Sequence, residues 1–226
     1  MTITLTKRGE GARISLAKAV PGPIRISATW FDNGDARSDN DDLDLRAGIL
    51  LPDGTMHWLA ASHPGSLTAL PFARHCGDIR KASASDPGTE IIEVDPEIFA
   101  KLGGPVGMVF SVYSAMSNGD VSIASLKPRM RIEHGGQSVD CVYAFEDGAA
   151  AAQVYTYVIG TVDIDAGGVD VRLSGLTSAK GSEDTPWIER KPEGLVVSFD
   201  GTPVFKKGRG LFGRFLGAGK KQYRNA

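Results

Sequence analysis

The sequence predicts an all-β fold, a two-sheet β-sandwich with one or two short helices. Three observations carry that prediction: period-two alternation of apolar and polar residues, glycine-rich turn signals between the alternating stretches, and very little helical periodicity.

The alternation begins at once, in TITLT (2–6) and ARISLAK (12–18). In PIRISATW (23–30), Ile24, Ile26, Ala28 and Trp30 fall on one face, with Arg25, Ser27 and Thr29 opposite. LDLRAGILL (43–51) is more continuously apolar, as expected of a strand in the middle of a packed sheet. The turn PDG (52–54) separates it from MHWLAA (56–61). DPEIFAKLGG (95–104) is the helical exception, with Asp95 at the N-cap, Pro96 at the first helical position and glycine at the end. VGMVFSVYS (106–114) is a second buried strand, followed by the turn NGD (118–120). PRMRIEH (128–134), SVDCVYAF (138–145), QVYTYVIGTVDI (153–164), VDVRLSG (169–175) and GLVVSFD (194–200) complete the set, with GG pairs at 135–136 and 167–168. No repeat of fixed period is present. SAKGSEDTP (178–186) is the most linker-like stretch, so residues 1–177 read as the sandwich domain. Residues 178–226 read as a C-terminal extension, free to pack on it.

Composition narrows the class. A hydrophobic content of 42% with 23% charged residues is ordinary for a globular chain and excludes general disorder. No apolar run approaches the roughly 18 residues of a membrane span, and the N-terminus lacks a signal-peptide layout. Cys76 and Cys141 are too few for a disulfide scaffold and lack metal-knuckle spacing. A cytoplasmic protein is expected. The formal net charge of −2 conceals an asymmetry: Gly201–Ala226 holds seven basic residues and no acid, so the body is acidic and the tail basic.

The acids concentrate in one loop. Asp32, Asp35, Asp39, Asp41, Asp42 and Asp44 lie within thirteen residues, with Arg37 the one cation among them. Such a loop is either solvated or built for a hard cation, whose charge cancels carboxylate repulsion. The spacing is not that of an EF-hand. A second segment, HCGDIRKASASDPGTEIIEVD (75–95), places Asp78, Asp86 and Glu90 ahead of and within another apolar strand.

Taken in order, these motifs resemble the tellurium-resistance TerD family. The matches are a strand ending in Lys18, a strand ending in Trp30, D-L-D at 42–44, H-x-G-D at 75–78, E-x-I-x-V-D at 90–95, and F-S-V-Y-S at 110–114. R-M-R-I-E and Y-A-F-E-D also fit, so the resemblance spans about residues 1 to 165. It implies a calcium-binding β-sandwich of the stress-response type, a scaffold or sensor rather than an enzyme, in protein assemblies peripheral to the inner membrane surface. By the same resemblance Asp42 and Asp44 supply carboxylates from one loop, and Asp78 and Glu90 from the other. Where the family has further oxygen donors this chain has Ile79, the run KASAS and Gly88-Thr89, with Asp86 a replacement donor. Arg80 and Lys81 are placed to neutralise part of the pocket. A family member that has kept the fold and lost the metal is the competing expectation.

Other residues attract simpler readings. His75 and Cys76 are adjacent on a strand and so point to opposite faces, which leaves His75 a structural histidine. Buried apolar cysteine is preferred over a thiolate ligand for Cys76 and Cys141. No catalytic residue, nucleotide motif or nucleic-acid partner is expected. The basic-apolar tail (206–224) has the composition of an anionic-membrane contact, with Leu211, Phe212, Phe215 and Leu216 on one helical face. Its many glycines oppose a stable helix, and the alternative is that its apolar residues tuck onto the sandwich.

Overall fold

The computed structural model describes residues 1–16, 20–32, 42–83, 85–116, 123–143, 153–203 and 221–226. It confirms an all-β fold of two large sheets packed face to face, with a small third sheet.

The first sheet runs β1 (Thr2–Leu5), β11 (Gln137–Cys141), β10 (Arg129–His134), β3 (Ile24–Trp30), β8 (Gly88–Val94), β7 (Ala73–His75) and β6 (Gly65–Ser66). The second runs β17 (Arg224–Asn225), β5 (Met56–Leu59), β4 (Asp44–Leu50), β9 (Val106–Tyr113), β12 (Thr156–Asp165), β13 (Gly168–Thr177) and β2 (Gly11–Ser15). The third is β14 (Thr185–Lys191), β15 (Gly194–Thr202) and β16 (Lys221–Gln222). Pairing is antiparallel except at β1–β11, β15–β16 and β17–β5.

Burial explains the two kinds of strand seen in the sequence. β3, β8 and β10 alternate because only one face of the first sheet meets the core. Ile24, Ile26, Ala28 and Trp30 pack there against Leu45, Ile49, Phe110 and Val112 of the second sheet. β9 is buried at every position, since the second sheet is covered on both faces. A separate apolar cluster lies on its outer side, where Leu50, Met56, Trp58, Val109 and Val158 meet Ile188 and Tyr223. MHWL therefore departs from the half-buried pattern its alternation suggests: all four residues of β5 are buried.

Ile188 and Tyr223, with Trp187, Leu195, Val197 and Phe199 beside them, supply that cover. Tyr223 is fully buried, its ring centroid 5.2 Å from Trp58 and 4.9 Å from Trp187, and its hydroxyl donates to the Pro186 carbonyl. Gly48 faces this ring so closely that any Cβ there would collide with it. The chain ends by adding β17 to the edge of the second sheet, with Arg224 opposite His57.

The helix is shorter than its sequence signal. It spans Ile98–Leu102 (α1), with Glu97 rather than Asp95 as the flanking residue and left-handed Gly103 ending it. Asp95 instead accepts the Glu97 amide at 2.8 Å, forming a turn ahead of the helix.

Candidate functional site

The start of β4 meets the loop between β7 and β8 at one end of the sandwich. β5 stops at Leu59, opposite Ala47, so Leu45 has no strand partner on that side. Side chains from the first sheet take its place. Glu90 Oε2 accepts the Leu45 amide at 2.6 Å, and His75 Nε2 donates to the Leu45 carbonyl at 3.1 Å. The Gly77 amide donates to His75 Nδ1 at 3.2 Å, which leaves the ring proton on Nε2. Glu90 Oε1 accepts the Ile79 amide at 2.9 Å. His75 and Glu90 are 3% and 1% exposed, so this latch is a buried polar network satisfied from within. His75 has the buried, backbone-bonded setting of a structural histidine. Glu90, expected as a metal ligand by the family resemblance, has both oxygens on backbone amides, which no local sequence feature signals.

The remaining acids gather around that latch. Asp42 is half-buried, and its Oδ1 has no hydrogen-bond partner among the described residues. Burial first, then the nearby carboxylates of Asp44, Asp78 and Glu90, pushes its pKa up to about 6, against a pull downward from Arg80. Asp44 pairs with Arg46 at 2.7 Å, and the Arg46 guanidinium lies 3.5 Å from the Tyr113 ring centroid. Asp78 pairs with Arg80 at 2.9 Å. Four carboxylates thus face two guanidinium groups. Both ion pairs join residues two apart in sequence; for Asp44 and Arg46, on β4, that spacing puts both on one face of the strand.

Asp86 is exposed, in a turn where its amide bonds Ser83 Oγ at 3.0 Å. Asp35, Asp39 and Asp41 lie outside the described residues, as do Leu211, Phe212, Phe215 and Leu216 of the tail. The C-terminal segment also reaches this end of the sandwich: Glu183 accepts the Tyr113 hydroxyl at 2.6 Å and the Met116 amide at 2.8 Å. Nothing in the local sequence signals that contact, which joins residues 70 apart.

The donor set is all oxygen and carries an orphaned buried carboxylate atom, which suits a hard cation such as calcium. Its arrangement is incomplete. Among the described residues, no group of three His, Cys, Asp or Glu side chains is placed to hold a metal ion. Asp42, Asp44 and Asp78 are the carboxylates nearest to such an arrangement, with Glu90 behind them on its amides.

The other candidates do not make a reactive centre. Cys141 is buried and its thiol is pushed up to about 12 by burial. Cys76 corrects the expectation of a buried cysteine, since it is exposed; desolvation, followed by Glu93, still raises its pKa. Both shifts favour the unreactive thiol. Trp30 and Trp58 are core residues, and Trp187 is half-buried. Among the described residues no helix is long and apolar enough to cross a membrane. No protein-family model matches the chain, and no curated protein matches it.

Proposed function

We propose that this chain is a non-enzymatic, calcium-binding stress-response module of the TerD-like kind, acting as a scaffold or sensor. The observation that carries this reading is the buried Oδ1 of Asp42, without a hydrogen-bond partner among the described residues and close to the carboxylates of Asp44, Asp78 and Glu90. The two-sheet sandwich and the order of the sequence motifs support it. A bound calcium ion supplies positive charge. Asp42, Asp44 and Asp78 would be the residues to hold it, and the Glu90–His75–Leu45 latch ties the start of β4 to the first sheet beside them. The basic segment 206–224 provides a contact for protein assemblies at an anionic membrane surface.

Calorimetric titration of the chelator-treated chain with calcium tests the reading. Wild type gives saturable heat in the millimolar range or below, and Asp42→Asn weakens it at least tenfold. Absence of binding by wild type at millimolar calcium sinks the proposal. A metal-free interaction domain is the second reading, favoured by the ion pairs that already neutralise Asp44 and Asp78. It requires a melting temperature that ignores calcium.

A further inference from the structure

We infer that the free edge of β14 is a docking site for an extended, acidic-apolar segment of a partner protein, which adds to the third sheet as a new strand. The site lies at the other end of the sandwich from the acidic cluster, where β4 reaches Leu50 after starting at Asp44. β14 stands at one end of the third sheet and pairs only with β15 among the described residues. On its other side, alternate backbone N–H and C=O groups are left for a further strand. Thr185 and Pro186 are buried, so the accessible stretch runs from Trp187 to Lys191. A cleft of about 490 Å³ follows that stretch, within the size range of ligand pockets. Leu50, Leu51, Pro52 and Pro105 form its far wall, facing Ile188 of β14.

The charges choose the occupant. Successive residues of β14 face opposite sides of the third sheet, so Trp187, Glu189 and Lys191 share the side away from Ile188. Glu189 is neutralised by Lys221, which also lies 5.9 Å from the Trp187 ring centroid. Arg190, on the Ile188 side, is held by Asp163 at 2.7 Å. Lys191 is exposed and has no ion pair among the described residues. The edge therefore offers one uncompensated cation on one side and an apolar cleft on the other. A strand that matches it turns apolar side chains toward Leu50 and Pro105 and sets a carboxylate opposite Lys191. A second copy of this chain matches poorly. Two β14 edges meeting antiparallel over Trp187–Lys191 set Glu189 against Glu189, and like charges directly opposite destabilise a strand pair.

The test uses the full chain, in chelator so that it stands apart from the cation reading, and the capped peptide Val-Glu-Val-Thr-Val-Glu-Val. The central threonine of that peptide meets Glu189 in either strand direction. Binding is followed by fluorescence anisotropy of the labelled peptide at low salt. Wild type binds it saturably with a dissociation constant below about 1 mM. Val-Lys-Val-Thr-Val-Lys-Val binds about tenfold more weakly, and Lys191→Glu, a change at an exposed and unpaired side chain, reverses that preference. N-methylation of alternate peptide amides separates strand addition from charge attraction. One register of methylation abolishes binding and the other leaves it unchanged, because only one row of amides faces β14. Absence of binding by wild type, equal binding of the two peptides, or equal effects of the two methylation registers overturns the inference. A dimer in sedimentation equilibrium that the peptide dissociates gives the edge to a second copy, and overturns the choice of occupant.

Discussion

Tyr223 and Asp42 both lie against the second sheet, and their polar atoms meet opposite fates. The Tyr223 hydroxyl is buried and bonded to Pro186, on a ring held in tilted contact with those of Trp58 and Trp187. Asp42 Oδ1 is buried and bonded to nothing among the described residues. One region is completed by Tyr223 and Ile188, so its stabilisation comes from apolar burial and depends on neither pH nor calcium. The other is left short of positive charge, so its energy depends on pH, salt and cations. Stability is concentrated in the first region and responsiveness in the second.

The largest effect that sharpens this contrast belongs to Tyr223. Replacing a fully buried aromatic side chain by alanine costs about 3–5 kcal/mol through lost burial and the cavity left behind. Tyr223→Ala therefore lowers the melting temperature by on the order of 10 °C, equally in calcium and in chelator. Ending the chain after Asp200 does at least as much, since it also removes β16 and β17. A truncated chain that melts with wild type breaks the contrast, because residues 221–226 are then an ornament on the sandwich.

Glu90 comes next, as the point where the acidic end touches the core. Glutamine keeps the shape of Glu90 but offers one acceptor oxygen and an NH₂, so one of the Leu45 and Ile79 amides then faces a donor. Losing a buried charge-assisted acceptor costs about 2–3 kcal/mol. Denaturant unfolding of Glu90→Gln measures it. A loss within error of zero makes the latch dispensable and leaves the β4 end held by strand pairing alone.

How much of each region the sequence disclosed follows from the range of the interactions. Alternation in PIRISATW is a local property, and β3 fell where it predicted, with Trp30 in the core. Continuous apolarity in VGMVFSVYS announced a strand in the middle of a packed sheet, and β9 lies between β4 and β12, buried at every position. What covers it was hidden. Tyr223 sits in a glycine-rich basic tail, and only contact with Trp58, far away in sequence, makes it a core residue. TPWIERK pairs with GLVVSFD as β14 and β15, yet beside SAKGSEDTP it was not read as a strand and fell within the C-terminal extension. At the acidic end, the types and positions of the acids were plain, and the two loops do approach one another. The pairings were not plain. That Glu90 would be consumed by Leu45 and Ile79 depends on β5 stopping at Leu59, which is a matter of register rather than composition.

The smallest effect is the one most specific to the acidic end. Asp42 has a folded-state pKa of about 6, above the ordinary value of 3.8, so its carboxyl binds protons more readily folded than unfolded. Stability must then fall as pH rises from about 4 to about 6, and the ionised Asp42 remains a net cost above that window. Asparagine removes the titration while keeping the shape. In chelator, Asp42→Asn is therefore more stable than wild type at pH 7, by about 1 kcal/mol once solvent screening of a half-buried group is allowed for. The advantage vanishes below pH 4, where the wild-type carboxyl is protonated in both states. Adding calcium at pH 7 reverses the order, because wild type gains the binding energy and the variant gives most of it up. Urea unfolding of both chains at pH 4, 5, 6 and 7 decides the matter. If Asp42→Asn is the less stable chain at pH 7 in chelator, Asp42 is satisfied as it stands, and nothing at this end of the sandwich is waiting for a cation.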